Sequence, residues 1–140
     1  MTDVLNKDNL MKFIEICLAA KEKAILIPSS TTKVGAVMYD VYGKHYEGYN
    51  IQNRTHKSYH AEEIAILNAI LQGADMNKML GMFVTFSSTI DKLTFCCACC
   101  RQVIYEFTRN LDFIITEISL DGNIVGSKSL RELYPYPFPR

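Results

Sequence analysis

The segment from Ala61 to Leu71 constrains the fold of this chain more than any other. Nearly every position in it is apolar, and the exceptions are Glu62, Glu63 and Asn68. A helix that is apolar on most sides must be covered on most sides, because a surface helix keeps a polar face toward water. We therefore expect this helix to pack beneath a sheet, and Gly73 is a suitable residue to end it.

Strand-like and helix-like segments alternate along the rest of the chain. Apolar residues at helical spacing predict helices over 8–24 and 98–107, with a short helical turn near the C-terminus. Runs rich in apolar residues predict strands at 34–39, 45–49, 82–86, 113–118 and 124–127. This alternation predicts an α/β fold in which helices cover a mixed sheet, and we expect residues 1–140 to form one domain.

Charge and composition limit the partners that we expect. The 140 residues carry 15 basic and 15 acidic side chains, so the formal net charge is zero. No run of Lys and Arg is long enough to follow a phosphate backbone, which favours a small neutral ligand over a nucleic acid polymer. The stretch MTDVLNKDNL lacks signal-peptide character, and no apolar run has the length of a membrane span. We expect a cytoplasmic protein without a membrane partner.

Four of the five cysteines crowd into positions 96–100, whereas Cys17 stands alone. Disulfide frameworks are not spaced in this way, and in a reducing compartment such a cluster more often serves a metal ion or catalysis. The motif His60-Ala61-Glu62 begins the buried helix, and Cys97-Ala98-Cys99-Cys100 begins the helix after the next strand. Two helix N-termini can therefore meet over one sheet.

One histidine and two cysteines match the ligand set of a catalytic zinc site. Such a site takes three protein ligands and keeps a fourth position for a water molecule, which the metal acidifies. We predict that His60, Cys97 and Cys100 bind one Zn²⁺. Glu62 lies two positions beyond the histidine, where a carboxylate outside the coordination shell can move protons between water and substrate.

The cysteine cluster offers a second register, because Cys96 and Cys99 also form a C-x-x-C pair. Helical phase favours Cys97 with Cys100, because Cys100 precedes apolar residues by three, four and seven positions, namely Val103, Ile104 and Phe107. Seven positions beyond Cys99 lies Glu106, a charged residue. By the same argument His60 lies above the helix face that carries Ile64 and Leu67.

Each element has an ordinary structural explanation when it is considered alone. A histidine before an apolar helix is usually a cap or a core residue, and a glutamate in the first turn favours the helix dipole. Clustered cysteines can form a structural metal site or fill core space. The occurrence of both motifs, in order and each at a helix start, favours a catalytic zinc over these explanations.

With these residues in place, the chain resembles the small zinc-dependent cytidine deaminase family along most of its length. The stretches that carry the resemblance are GYNIQN, HAEEIAILNAI and CCRQVIYEF. The resemblance implies a three-layer α/β/α fold with a central mixed five-stranded sheet, one zinc ion per subunit and a homotetramer. It also implies hydrolysis of the C4 amine of cytidine or deoxycytidine, with release of ammonia, in pyrimidine salvage.

The same resemblance implies roles for residues outside the metal site. Asn50 and Gln52 would bind the sugar hydroxyls, the Ala61 backbone would meet the base edge, and Phe138 would close the site of a neighbouring subunit. Gln52 stands where the family usually has Glu, so a charge-assisted bond becomes a weaker neutral one. Thr32 replaces an aromatic residue, and Cys96 replaces the proline before the first cysteine ligand.

Two alternatives to a cytidine deaminase stay open at this point. A related class that deaminates the nucleoside antibiotic blasticidin S also lacks the sugar-binding Glu, which keeps a modified or antibiotic cytosine nucleoside open as substrate. The other alternative is a noncatalytic zinc module that joins partners through its surface. An enzyme acting on polynucleotides is disfavoured, because it needs a basic groove and aromatic platforms for unstacked bases.

Overall fold

The computed structural model describes residues 3–55, 57–87, 93 and 95–139. In chain order its elements are α1 (Lys7–Glu22), β1 (Val34–Asp40), β2 (His45–Tyr49), β3 (Ile51–Gln52), β4 (Ser58–Tyr59), α2 (Ala61–Leu71), a 3-10 helix (Met76–Lys78), β5 (Met79–Phe86), α3 (Ala98–Thr108), β6 (Ile114–Ile118), β7 (Ile124–Ser129) and α4 (Leu130–Leu133). None of the helices in these ranges is long and apolar enough to cross a membrane.

A five-stranded sheet with the order β2-β1-β5-β6-β7 forms the middle layer. Strands β5 and β6 run parallel, whereas the other neighbours in the sheet are antiparallel, so the sheet is mixed. The parallel pair requires a crossover connection, and α3 lies in it. The prediction of a mixed five-stranded sheet is confirmed.

Helices cover both faces of this sheet, which produces three layers. Along β1, Val37 and Tyr39 pack in one apolar cluster with Phe13 of α1. Ala36 and Met38, which alternate with these residues along β1, pack in a second cluster with residues of α2 and α3. Because successive side chains of a strand point to opposite faces, a strand covered on both sides is apolar almost throughout. This arrangement confirms the α/β/α expectation.

Several element boundaries differ from those that the sequence predicted. Helix α1 ends at Glu22 instead of residue 24, and β5 begins at Met79, three residues before the predicted start. The small sheet of β3 and β4 was not predicted, because each strand has only two residues and therefore shows no periodic pattern.

The buried faces of α2 and α3 also differ in part from the prediction. Leu67 and Phe107, both expected to face inward, are each 43% exposed. In α2 the fully buried positions include Ala61, Ala65 and Ala69. This stripe approaches β2 so closely that a side chain at Gly48 would collide with the α2 backbone, and Leu67, about 200° around the helix from Ala65, points away from that contact.

Candidate metal centre and catalytic pocket

The N-termini of α2 and α3 bring three possible metal ligands together. His60 is the N-cap residue of α2 and Cys97 is the N-cap residue of α3, with Cys100 in the first turn. His60 Nδ1 lies 3.3 Å from Cys97 Sγ and 3.2 Å from Cys100 Sγ. One donor atom from each of the three residues lies within 4.8 Å of the others. Nδ1 is thus the ring nitrogen that faces both thiols.

The chemistry of these donors fits a zinc ion. Two cysteine sulfurs and one imidazole nitrogen are ligands that zinc prefers, and three protein ligands leave a fourth position for water. Burial, followed by the nearby charge of Glu62, raises the pKa of the Cys100 thiol. A divalent cation reverses that preference, because a coordinating thiol loses its proton outright. Cys97 is exposed whereas Cys100 is buried, so the cluster has an open side.

The alternative pair of cysteines does not join this cluster. Cys99 is exposed, and its Sγ lies 4.0 Å from Glu63 Oε1. Cys96 is buried, and burial raises the pKa of its thiol to about 12. Among the residues that the structure describes, the candidate ligand group contains Cys97 and Cys100 and neither of these two. The geometry therefore favours the register that helical phase predicted.

Glu62 lies beside the metal site and is almost completely buried, with 3% of its surface exposed. The Cys100 thiol donates a hydrogen bond to Glu62 Oε2 over 3.1 Å. Burial raises the pKa of the Glu62 carboxyl group, and the hydrogen bond from Cys100 opposes the shift. A buried carboxyl group within hydrogen-bonding distance of a candidate ligand is placed where a proton-transfer residue must lie.

A pocket of about 280 Å³ opens beside these residues. Its lining includes His60, Ala61, Glu62 and Cys97, and the other described lining residues are Thr32, Val34, Asn50, Gln52, Ser58 and Phe86. The volume is near the lower end of small-molecule sites, roughly 300 Å³. The described lining contains no Lys or Arg, so these residues offer no cation to a phosphate group.

Asn50 and Gln52 line the pocket and also brace the connection between α1 and β1. Asn50 Oδ1 accepts the Val34 N–H over 2.8 Å, and Asn50 Nδ2 donates to the Thr32 carbonyl oxygen over 2.9 Å. Local sequence patterns do not reveal these two bonds, since the partners are 16 and 18 residues away along the chain. A side-chain amide has two N–H groups and two lone pairs, so Asn50 retains capacity to bind a ligand.

Gln52 is engaged in the same way. Its Oε1 accepts the Ile27 N–H over 3.1 Å, and its Nε2 donates to Ser30 Oγ over 3.1 Å. Both bonds are to neutral groups, whereas a carboxylate oxygen in place of Nε2 could only accept. Gln52 therefore contributes a neutral amide to the pocket lining and binds Ile27 and Ser30 through it.

Phe138 lies outside the described lining of this pocket and is 68% exposed. Gln102 of α3 holds its backbone, because Oε1 accepts the Phe138 N–H and Nε2 donates to the Phe138 carbonyl oxygen, each over 3.0 Å. The Tyr134 hydroxyl group donates to the same Oε1 over 2.6 Å. The C-terminal segment is thus fastened to α3 with the Phe138 ring exposed.

Three side chains that could hold a metal ion, beside a buried carboxyl group and an open pocket, fit the arrangement of a zinc-dependent hydrolytic enzyme. Residues 7–115 match the sequence model of the family described as the cytidine and deoxycytidylate deaminase zinc-binding region, and the chain belongs to this family. It is therefore a zinc-dependent hydrolase of the cytidine deaminase class, as the sequence predicted.

Solved structures agree with this assignment. The cytidine deaminase from Burkholderia pseudomallei superposes with a TM-score of 0.78 at 27% identity, covering 91% of this chain and 97% of that chain. The cytidine deaminase from Mycobacterium tuberculosis has a TM-score of 0.71 at 20% identity, covering 92% and 96%. The enzyme from Mycobacterium leprae has a TM-score of 0.69 at 20% identity, covering 89% and 96%. The two mycobacterial structures support the fold alone.

Proposed function

We propose that this protein hydrolyses the C4 amine of free cytidine or deoxycytidine, giving uridine or deoxyuridine and ammonia, as in pyrimidine salvage. The observation that carries the proposal is a small pocket beside the candidate metal site whose described lining has no Lys or Arg. A nucleoside monophosphate needs cationic or multiple N–H partners for its phosphate group. A neutral nucleoside therefore fits this pocket better than deoxycytidylate, the other substrate type in the family description.

The proposed mechanism assigns distinct tasks to four residues. His60, Cys97 and Cys100 would hold zinc, which when bound would supply the acidity that makes a water molecule a nucleophile. Glu62 would take one proton from the attacking water and deliver it to the ring nitrogen N3, and would then take the second proton, from the hydroxyl group now on C4, and pass it to the leaving amine. Burial that raises the pKa of this carboxyl group supports the role, because it strengthens the carboxylate as a base and lets the group keep a proton between accepting it and passing it on.

Three further residues that contact the substrate belong to the proposal. The Ala61 backbone, in the pocket lining beside Glu62, meets the edge of the base. The free hydrogen-bonding capacity of Asn50 serves the sugar hydroxyl groups, since its side chain lines the pocket while its other bonds keep the amide in place. Gln52 is assigned to the same end of the substrate and offers only neutral bonds.

The test is ammonia release and the accompanying ultraviolet change with zinc-loaded protein on cytidine, deoxycytidine and deoxycytidylate. We expect turnover of the first two and little turnover of the third. Glu62→Gln should keep its zinc and lose about 10²- to 10⁴-fold in kcat. Glu15→Gln is the matched control, because Glu15 is exposed on α1 and should leave activity unchanged. Zinc binding without ammonia release from any cytosine nucleoside would favour a noncatalytic interaction module and end the proposal.

A second candidate substrate is a modified or antibiotic cytosine nucleoside such as blasticidin S. The neutral amide of Gln52, committed to Ile27 and Ser30, favours it because no carboxylate is available there for a sugar hydroxyl group. Blasticidin S should then react with a higher kcat/KM than cytidine. Gln52→Glu should shift the preference toward cytidine through a charge-assisted bond. Equal or better turnover of cytidine by the unaltered protein would remove this candidate.

We also propose that the protein is a homotetramer in which Phe138 reaches the pocket of a neighbouring subunit. The support is the exposed ring, held by Gln102 outside its own pocket. Light scattering should report four chains per particle. Phe138→Ala should raise KM with zinc content unchanged, and a monomer with full activity would contradict the proposal.

A further inference from the structure

The segment that leads into α3 contains a backbone conformation that a bulky residue rarely adopts. Phe95 has φ of 57°, and it is one of two non-glycine residues with positive φ in the described part of the chain. The other, Arg109, is the C-cap of α3, where a left-handed residue is common. Phe95 instead precedes a helix, two residues before Cys97. A bulky residue in this conformation persists only when its surroundings hold it there.

Contacts with strands β6 and β7 stabilise this conformation of Phe95. The Phe95 N–H donates to Glu117 Oε1 of β6 over 2.9 Å. The Phe95 ring lies against β7 at Gly126, where an added Cβ would be in ordinary contact with the ring at 3.4 Å and would collide with Leu93 Cδ1 at 2.7 Å. Glu117 and Gly126 are partners in the register of these two strands. Strand β6 therefore binds the backbone of Phe95 while β7 packs against its ring, and the residue is only 6% exposed.

The position of Cys97 depends on this turn more than the position of Cys100 does. Cys100 lies inside α3 and is placed by the helix, whereas Cys97 is the N-cap residue with an extended backbone. Rotation of the Phe95 backbone would carry the Cys97 thiol away from His60 Nδ1, now 3.3 Å away, and from the Cys100 N–H, now 3.4 Å away.

We infer that Glu117 is a positioning residue for the metal site: its carboxylate fixes the left-handed turn at Phe95 and thereby places the Cys97 thiol. Glu117 lies outside the described pocket lining and has no assigned part in the chemical step. The inference rests on the proposed function in one respect, namely that Cys97 is a zinc ligand. It extends that function by adding a residue that acts through the backbone.

Three substitutions of Glu117 distinguish the effect of its hydrogen-bond geometry on zinc affinity from the effect of its charge. Glu117→Ala removes the acceptor and should raise the zinc dissociation constant about 10-fold or more, as lost outer-shell partners typically do. Glu117→Gln keeps an acceptor oxygen at the same reach and should recover most of the affinity. Glu117→Asp keeps the charge on a side chain one methylene shorter, so it should resemble the Ala variant. Glu47→Ala in β2, at the opposite edge of the sheet, is the control.

The readouts are zinc affinity by chelator competition and the thiolate-to-cobalt absorption of Co²⁺-substituted protein, which reports thiolate ligation. We expect Glu117→Ala to lose part of this absorption while its circular dichroism stays that of a folded protein. If the unaltered protein binds no zinc, the proposed function fails. If it binds zinc and Glu117→Ala has the same affinity and spectrum, the inference alone is overturned. High affinity in the Asp variant with loss in the Gln variant would also overturn it, since charge would then dominate.

Discussion

Replacement of Gly48 by alanine tests how the sheet positions the metal site. Gly48 lies in β2, directly beneath α2, the helix that carries Glu62 and whose N-cap residue is the candidate ligand His60. A methyl group at Gly48 would collide with the Ala61 carbonyl oxygen and the Ala65 amide nitrogen, and would lie 3.0 Å from Ala65 Cα. All three atoms belong to the helix backbone, so no side-chain rotation relieves the collision.

The size of the effect follows from this geometry. Overpacking a core costs about 1–3 kcal/mol when side chains can adjust, and we expect the upper end here because α2 must move as a body. For a protein of this size, a loss of about 3 kcal/mol lowers Tm by on the order of 10 °C. Movement of α2 also displaces His60 relative to the cysteines of α3. Zinc affinity should therefore fall together with stability.

The assay is thermal unfolding of zinc-loaded Gly48→Ala, with zinc affinity measured separately by chelator competition. Glu47→Ala is the neighbouring control, since it removes an ion pair of 2.8 Å with Lys23 that is largely exposed and contributes about 0–1 kcal/mol. A Tm and a zinc affinity indistinguishable from those of the unaltered protein would refute the reasoning, because they would show that α2 does not rest on the β2 backbone.

Three further predictions concern metal removal, thiol chemistry and acid stability. Chelation of zinc should lower Tm, and added zinc should restore it, because a ligand that binds only the folded state stabilises that state; an unchanged Tm would argue against the metal site. In zinc-loaded protein an alkylating reagent should modify the exposed Cys99 and spare Cys97, whereas removal of the metal should make Cys97 reactive. Mass spectrometry of the peptides reports both reactions. Protection of Cys99 by zinc would instead favour Cys96 and Cys99 as the ligand pair. Burial, followed by the charge of Lys12, lowers the pKa of His45 from its ordinary 6.5. The contribution of neutral His45 to stability is therefore complete above pH 6.5 and is lost as pH falls through the folded-state pKa. The Tm of His45→Gln should fall less steeply with decreasing pH than the Tm of the unaltered protein. Parallel curves of Tm against pH for the two proteins would contradict this.

The predictions from sequence alone succeeded where the signal is local. The helix 61–71 follows from its composition, and the α/β class follows from the alternation of strands and helices; the fold confirms both, although Leu67 and Leu71 of this helix are exposed. The motifs around His60 and Cys97 each occupy a few adjacent residues at a helix start, so the zinc-dependent family could be predicted before any geometry was known. Local patterns carry this information because helix capping and ligand spacing depend on neighbours in the chain.

Contacts between distant segments were decided only by the tertiary structure. The bond from the Phe95 backbone to Glu117 spans 22 residues, and nothing near Phe95 in the sequence indicates its left-handed conformation. The close approach at Gly48 decides which face of α2 lies against β2, and Leu67 is exposed because it lies on another face. Helical spacing alone does not determine this orientation. Apolar periodicity tells which face of a helix can be buried, but the neighbouring backbone decides how deeply each residue is buried, because close packing depends on the shapes of both surfaces.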